Sequence, residues 1–337
     1  MVNLLDNLKS EIHNIFSNSI ETTKSYSVPS RDDTGLTFPI GDNKRGKLIE
    51  TCVLFVDIRN STILSQNLRN NKNLLGKIYS AFIHSMTSIA DEFGYVRNIV
   101  GDRVMVVFEP GNCFKDSIYC AALMFGVARE IIAPYCKPAR FKVGIGIDFG
   151  EMLILKTGIR KKYKEQSEYK NLVWIGDAAN IASKLTDFAN KTVNINNYKI
   201  SLSSTPINIG VPDIFKSKIP FSSLFERVSP QTQFLSRLHE TENTFETVSL
   251  EDLHINLNIK DGRILFKNRK VNNLEFIPES KFIPPVLISG KVLSKFRKAF
   301  PKSALLRDFR RVECHDKPNT GSGIFGGGFI LENIINN

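Results

Sequence analysis

The amino-acid sequence predicts an α+β fold with a ferredoxin-like core, in which helices pack on an antiparallel sheet. Three patterns lead to this prediction. An apolar run over residues 52–56 ends in Asp57 and precedes a long stretch with helical periodicity. Residues 95–108 contain two apolar runs that meet at Gly101 and Asp102, a pairing typical of hairpin turns. Further helical and strand patterns follow in the order that two strand-helix-strand halves require.

The first element is an N-terminal helix, assigned to residues 1–25. Leu5, Leu8, Ile12 and Ile15 form one apolar stripe at helical spacing, and such a stripe must pack against its own domain or a second copy. Residues 26–47 are rich in proline and glycine and are interpreted as a linker.

Residues 48–210 are predicted to form the main domain, and the order of its elements follows from the same periodicities. We expect a strand at 51–57, a helix at about 72–93, the hairpin at 95–108, a helix at about 114–132, a strand pair about Gly150 over 140–156, and a helix from about Asp177 to Ala189. Residues 211–337 are interpreted as a small C-terminal extension, strand-rich between 220 and 290, with a flexible glycine-rich tail.

The composition limits the functional classes. The 337 residues are 42% hydrophobic, which supports a packed core. No uninterrupted apolar stretch approaches the roughly 18 residues of a membrane-spanning helix, so we expect no membrane span. Five cysteines without paired spacing predict a reducing, cytoplasmic location. The net charge of +11 suits nucleic acid or triphosphates, and we expect a triphosphate substrate and no nucleic-acid partner.

Asp57 and Asp102 are the candidate metal ligands, together with Ile58. Carboxylates held at strand ends can bind hard divalent ions, which complete their shells with substrate phosphates. The turn after the first strand offers a short nest of backbone N–H groups for those phosphates. Its residues are Arg59, Asn60, Ser61 and Thr62. The structural alternative makes Asp57 a helix cap and Asp102 an ordinary turn residue.

A third motif, residues 176–185, begins with Gly-Asp and continues as a helical pattern in which Asn180 and Lys184 share one face. With the strand at 51–57, the hairpin and the segment 142–151, it resembles the class III nucleotidyl cyclases, the adenylate and guanylate cyclase family. The resemblance covers roughly residues 48 to 200. It implies conversion of a nucleoside triphosphate to a 3′,5′-cyclic nucleotide and pyrophosphate, with two divalent cations, Mn²⁺ or Mg²⁺.

The resemblance also implies roles for the helix and a subunit arrangement. Asn180 matches the asparagine that orients the ribose. Lys184 stands where the family usually has an arginine that contacts the transition-state phosphate; lysine keeps the charge but loses the planar fork of donors. Because the family builds one site from two subunits, the resemblance implies a homodimer with composite active sites.

The base-reading positions differ from those of purine cyclases. The resemblance places Asn98 and Val173 where purine cyclases have charged or polar readers, with bulky Trp174 beside them. This pattern is similar to the bacterial pyrimidine cyclases of the Pycsar antiphage system, which make cyclic UMP or cyclic CMP on infection. It implies UTP as the favoured substrate, with CTP or ATP as alternatives. Core packing is the structural alternative for Trp174.

Two other functional classes stay open at this level. One is an inactive, cyclase-like domain that binds nucleotide and regulates; the presence of both aspartates argues against it. The other is a polymerase palm or diguanylate cyclase, which shares the core and the two-metal logic. The lack of a Gly-Gly-Asp/Glu-Glu-Phe signature and the Asn180 helix favour a nucleotidyl cyclase.

Overall fold

The computed structural model describes residues 2–137, 140–158, 160–161, 164–165, 171–203, 243–260, 262–314 and 317–331. The chain divides into two compact units, Met1–Lys191 with Phe282–Asn337, and Thr192–Lys281.

The elements of the first unit precede and follow the second unit in the chain. They are α1 (Val2–Ser17), β1 (Glu21–Lys24), β2 (Arg45–Ile58), α2 (Ser61–Asn67), α3 (Lys72–Phe93), β3 (Tyr95–Val100), β4 (Arg103–Val107), α4 (Cys113–Gly126), a π-helical turn (Val127–Ile132), a 3₁₀ turn (Ala133–Cys136), β5 (Val143–Thr157), β6 (Arg160–Lys161), β7 (Lys164–Glu165), β8 (Asn171–Ile175) and α5 (Asp177–Phe188). After the second unit come β14 (Val286–Ser289), α7 (Gly290–Ala299), a 3₁₀ turn (Ala304–Arg307), β15 (Arg310–Arg311) and β16 (Ile324–Gly327).

The predicted ferredoxin-like core is confirmed by the sequence of elements β2, α3, β3, β4, α4 and β5. These strands lie in the order β5-β2-β4-β3, and each neighbouring pair is antiparallel. The apolar run before Asp57 becomes the central strand because it pairs on both edges and is buried on both faces.

One face of this sheet is covered by α3 and α4. Leu54 and Val56 of β2 pack in the same cluster as Phe82 of α3 and Ile118 of α4, and all four are buried. This cluster holds β2 against both helices.

The opposite face is covered by α5. Val53 of β2 and Met105 of β4 pack with Ala178 and Ala182 of the helix. The approach is close because β5 has glycine at position 146: a Cβ there would lie 2.3 Å from the carbonyl oxygen of Ala182. The small residues on both elements therefore set how near α5 lies to the sheet.

The predicted strand pair about Gly150 is wrong. Residues 143–157 form the single strand β5, which pairs with β2 without a break from Val143↔Ile58 to Ile154↔Lys47. A glycine inside a strand pattern indicates a turn only if the ladder stops there, and β2 is long enough to continue it.

The N-terminal region differs from its prediction in two places. Helix α1 ends at Ser17, and Glu21–Lys24 is a strand that pairs in parallel with β2. Val28 and Leu36, in the segment interpreted as a linker, are buried in the cluster beneath α5. Burial of these two apolar side chains makes the segment part of the folded domain, in spite of the prolines and glycines around them. The apolar stripe of α1 stays exposed at Leu5 and Ile12.

The C-terminal region is also divided differently from the interpretation as one extension. Strand β14 pairs in parallel with β5, and β16 pairs with β14, so both belong to the main sheet. Phe296 of α7 and Phe329 lie in the main core, which means that the tail is not a flexible appendage. The main sheet gains these strands because the edge of β5 opposite β2 is otherwise open over residues 145–147.

The elements of the second unit are β9 (Thr192–Ser203), β10 (Asn243–Ser249), α6 (Leu250–Asn256), β11 (Leu257–Lys260), β12 (Arg263–Phe266) and β13 (Arg269–Phe282). Its strands form a five-stranded sheet in the order β10-β9-β13-β12-β11. Tyr198, Ile200 and Phe266 belong to its own apolar cluster. The predicted strand-rich character holds for the described part of 220–290, and residues 220–242 lie outside the described residues.

One helical run in the described part, Cys113–Cys136, is long and apolar enough to cross a membrane, and 56% of its most apolar 18-residue segment is buried inside the fold. Its burial against the sheet accounts for its composition. The five cysteines are buried and unpaired. Burial raises the pKa of the Cys52 thiol well above its usual range, as the apolar core around it requires.

Candidate active site

The two predicted metal carboxylates meet at one end of the core. Asp57 is the penultimate residue of β2, and Asp102 lies in the two-residue turn between β3 and β4. Burial, and then the neighbouring charge of Asp57, raise the pKa of Asp102. Its Oδ2 atom is buried without a hydrogen-bond partner among the described residues. Two carboxylates that repel each other, one with an unused oxygen, form a site that a cation would stabilise.

The donor set fits a hard divalent ion. Asp57 and Asp102 supply carboxylate oxygens, and Ile58 can contribute only its backbone carbonyl because its side chain, which is buried in the core, is a hydrocarbon. The described residues contain no group of three or more His, Cys, Asp or Glu side chains that could hold a metal. Two carboxylates leave coordination positions for phosphate oxygens, as Mg²⁺ and Mn²⁺ sites commonly do.

Two arginines lie against Asp57. Its Oδ2 atom accepts hydrogen bonds from Arg59 Nη2 at 3.1 Å and from Arg103 Nη2 at 2.7 Å, with Arg103 Nε at 3.3 Å. The side chain of Asp57 is only 14% exposed, so these charge-assisted contacts are shielded from water. Sequence reasoning assigned Arg59 to phosphate and did not find Arg103, although it directly follows Asp102.

Arg103 also contacts helix α5. Its Nη1 atom donates to Ser183 Oγ at 3.0 Å, and Nη2 donates to Asp187 Oδ1. Arg59 reaches the same place, since its Nη1 donates to the backbone oxygen of Asp187 at 3.1 Å. Ser183 and Asp187 were missed, but their spacing from Asn180 and Lys184 on one helical stripe is a signal that could have found them.

Arg59 is held in position by the strand beside it. A Cβ on Gly144 of β5 would lie 2.8 Å from Arg59 Nε, so only glycine leaves room for this guanidinium. Gly144 is the cross-strand partner of Asp57, which explains why the arginine lies so near the carboxylate. The side chain of Arg59 is 12% exposed.

The turn after Asp57 brings the other predicted phosphate contacts together. Asn60 has left-handed backbone geometry (φ 55°) and precedes α2, so it occupies the cap position that the structural alternative gave to Asp57. The hydroxyl of Ser61 lies near enough to Asp102 to lower its pKa in part. Asn60 and Thr62 are exposed. A cavity of about 340 Å³ adjoins the turn, lined by Arg59, Asn60, Ile63, Leu64, Asn67, Arg140 and Phe141.

Helix α5 presents the two predicted catalytic residues to solvent. Asn180 and Lys184 are exposed, whereas Ala182 and Leu185 face the sheet. Asn180, Ser183, Lys184 and Asp187 lie at i, i+3, i+4 and i+7, so they form a single stripe. One end of this stripe contacts Arg103, so the stripe lies beside the aspartate pair of its own chain.

The predicted base-reading residues do not all lie on one side of the sheet. Asn98 is opposite Met105, a residue of the cluster beneath α5, and Trp174 packs against that same cluster. Val173 is exposed and points to the other face, because neighbouring strand residues alternate. The indole Nε1 of Trp174 is buried without a hydrogen-bond partner among the described residues. The structure therefore groups Asn98 with Trp174 and separates Val173 from them.

Residues 45–208 match the family model described as the adenylate and guanylate cyclase catalytic domain. Two relatives are each named uridylate cyclase. The one from Burkholderia cepacia is 30% identical over 200 residues, 57% of this chain and 81% of the relative. The one from Gulbenkiania mobilis is 28% identical over 197 residues, 55% of this chain and 72% of the relative.

A solved structure of a bacterial light-regulated adenylyl cyclase is similar with a TM-score of 0.36 and 20% identity. The matched region covers 42% of this chain and 40% of that protein. A likeness of this size has no bearing on activity.

Proposed function

Since the chain belongs to the adenylate and guanylate cyclase catalytic-domain family, we propose that it is a uridylate cyclase, which converts UTP to 3′,5′-cyclic UMP and pyrophosphate. The nucleotidyl cyclase activity rests on the family. The observation that carries the assignment of its site is the facing pair Asp57 and Asp102, with an unused buried oxygen on the second carboxylate.

Two groups of residues at the end of β2 would bind the metal ions and the triphosphate. Asp57 and Asp102 hold divalent cations, and the chemistry that Mn²⁺ or Mg²⁺ supplies when bound is charge neutralisation at the phosphates. Arg59, fixed over Gly144, lies beside the turn of Asn60, Ser61 and Thr62 as a cationic contact for the triphosphate. Positioning and charge neutralisation account for most of the catalysis of such phosphoryl transfers.

The exposed stripe of α5 supplies the remaining groups. Asn180 can orient the ribose so that its 3′-hydroxyl faces the α-phosphate, and Lys184 can neutralise the charge that develops there. A homodimer would let this stripe serve the carboxylates of the partner subunit, giving two composite sites. Exposure of both side chains in the single chain supports this arrangement.

The pyrimidine assignment rests on the names of the relatives and on two side chains. Uracil offers two carbonyl acceptors and one N–H donor. The Asn98 amide can both donate and accept, and the Trp174 indole N–H is an unsatisfied donor on the same side of the sheet. Neither Asn98 nor Val173, at the two positions of the purine readers, is charged. CTP is the alternative substrate, since an amide also complements cytosine. The role in antiphage signalling is part of this proposal and rests on the same base-reading positions.

The test is an equimolar mixture of the four nucleoside triphosphates with Mn²⁺, with the cyclic products resolved by chromatography and mass spectrometry. We expect cyclic UMP to dominate. Cyclic AMP as the main product would refute the pyrimidine assignment, and no cyclic product from any triphosphate would favour the inactive nucleotide-binding alternative.

Asp57→Asn and Asp102→Asn test the metal assignment in the same assay. Each change removes a charged ligand at nearly constant size, so we expect turnover to fall by at least about 10²-fold while the fold is kept. Glu151→Gln is the matched control, because it removes one exposed carboxylate from β5, far along the strand from Gly144, the partner of Asp57. Near-normal turnover of either aspartate variant would contradict the assignment.

A further inference from the structure

Asp57 already has two cationic partners within its own chain, Arg59 and Arg103. One oxygen, Oδ2, takes the contacts from both Arg103 (2.7 and 3.3 Å) and Arg59 (3.1 Å). A divalent ion that binds this carboxylate must therefore displace positive charge or stand beside it. In a site shielded from water each guanidinium that stays beside the ion is costly, because like charges repel strongly there, so removal of even one of the two favours binding of the ion.

The two arginines differ in their freedom to leave. Arg59 is 12% exposed and locked between Gly144 and the backbone oxygen of Asp187. Arg103 is 29% exposed, and its second anionic partner, Asp187, is 56% exposed. Loss of the contact with Asp57 would therefore leave Arg103 still paired with Asp187.

We propose that Arg103 is the resident cation of the candidate metal site, a positioning residue that neutralises Asp57 until a divalent ion displaces it. This inference rests on the proposed function, because it takes Asp57 as a metal ligand. Arg103 then sets the cation concentration at which the site fills.

The same exchange involves helix α5. Arg103 ties Asp57 of β2 to Ser183 and Asp187, which share the exposed stripe of Asn180 and Lys184. When the guanidinium leaves Asp57, β2 and α5 lose this link. Filling of the metal site is thereby connected to the helix that carries the other predicted catalytic groups.

The first experiment measures Mn²⁺ binding to the full chain without nucleotide, from the electron paramagnetic resonance signal of the free ion. Arg103→Gln keeps a polar side chain but removes the charge. We expect its Mn²⁺ Kd to fall about tenfold, equivalent to about 1.4 kcal/mol. The matched control is Arg97→Gln, which removes the same charge from the neighbouring strand β3, where Arg97 stacks on Tyr95. Screening should keep its effect within about twofold.

A double-mutant cycle separates direct displacement from long-range charge effects. Asp187→Asn leaves Arg103 with Asp57 as its remaining anion, so Mn²⁺ should bind more weakly. If this effect passes through Arg103, it disappears in the Arg103→Gln background; purely long-range effects would add. An equal loss in both backgrounds would overturn the inference.

Circular dichroism checks that each variant folds, and Arg103→Met serves if the glutamine variant does not. Methionine also removes the charge from the site, so its Mn²⁺ Kd should likewise fall. Unchanged or weaker Mn²⁺ binding in the folded Arg103 variant would overturn this inference alone. A wild-type chain that binds no Mn²⁺ would overturn the metal assignment, and this inference with it.

Discussion

Gly146→Ala should displace α5 from the sheet and reduce both stability and turnover. The added Cβ would lie 2.3 Å from the Ala182 oxygen, 2.4 Å from the Thr186 nitrogen and 2.7 Å from Thr186 Oγ1. Two of these atoms are helix backbone and cannot rotate away. Ordinary contact begins at 3.4 Å, so the helix must move by about 1 Å to relieve the closest approach.

The magnitude follows from this displacement. Overpacking of a core typically costs about 1–3 kcal/mol. At roughly 2–4 °C per kcal/mol for a domain of this size, the Tm should fall by about 2–12 °C. A shift of 1 Å in the helix that carries Asn180 and Lys184 can lower kcat by about 10²-fold.

Gly150→Ala is the control on the same strand and beneath the same helix. Its Cβ would meet Ala178 Cβ at 3.6 Å, an ordinary contact. The assays are thermal unfolding followed by circular dichroism and steady-state kinetics with UTP and Mn²⁺. If Gly146→Ala matched Gly150→Ala in Tm and kcat, the close approach of α5 would not be what positions the helix, and the reasoning would be refuted.

Three further predictions concern the dimer, the base and a buried acid. Asp57→Asn and Asn180→Ala chains should each be inactive but recover activity when mixed, since one composite site then stays intact; no recovery after demonstrated subunit exchange would count against the dimer. Asn98→Ala should weaken the preference for UTP over ATP by about 5- to 150-fold in kcat/KM, as a hydrogen-bond match is worth roughly 1–3 kcal/mol; an unchanged preference in competition assays would exclude Asn98 as a reader. Burial raises the pKa of Asp148 above its ordinary 3.8, so the folded state becomes less stable as pH rises from that value through the raised pKa. Asp148→Asn should accordingly unfold at a higher Tm than wild type near pH 7, with the difference shrinking towards pH 4; a difference independent of pH would contradict this.

The sequence predicted the core elements because each is encoded locally. The apolar run before Asp57, the Gly101-Asp102 turn and the stripe of Asn180 and Lys184 have periods that a strand, a hairpin and a helix impose on neighbouring residues. The opposite faces of Val173 and Trp174 follow from the same period of two, and could have been inferred from their adjacency in a strand.

Local patterns failed where a segment's partner lies far along the chain. Nothing near Gly150 shows that β2 continues beside it, and nothing in residues 286–327 shows that β5 has an open edge for β14. Prolines and glycines made residues 26–47 resemble a linker, whereas the burial of Val28 and Leu36 depends on a cluster formed by other elements.

The sequence by itself determined the core, its order of strands and helices, and the two carboxylates that the core brings to one end. Only the tertiary structure decided what surrounds Asp57. Arg103 contacts Asp57, which lies 46 residues before it in the sequence, and Asp187, which lies 84 residues after it. The contacts with Asp187 depend on how closely α5 packs on β5, at glycines whose small size matters only once the helix lies against them.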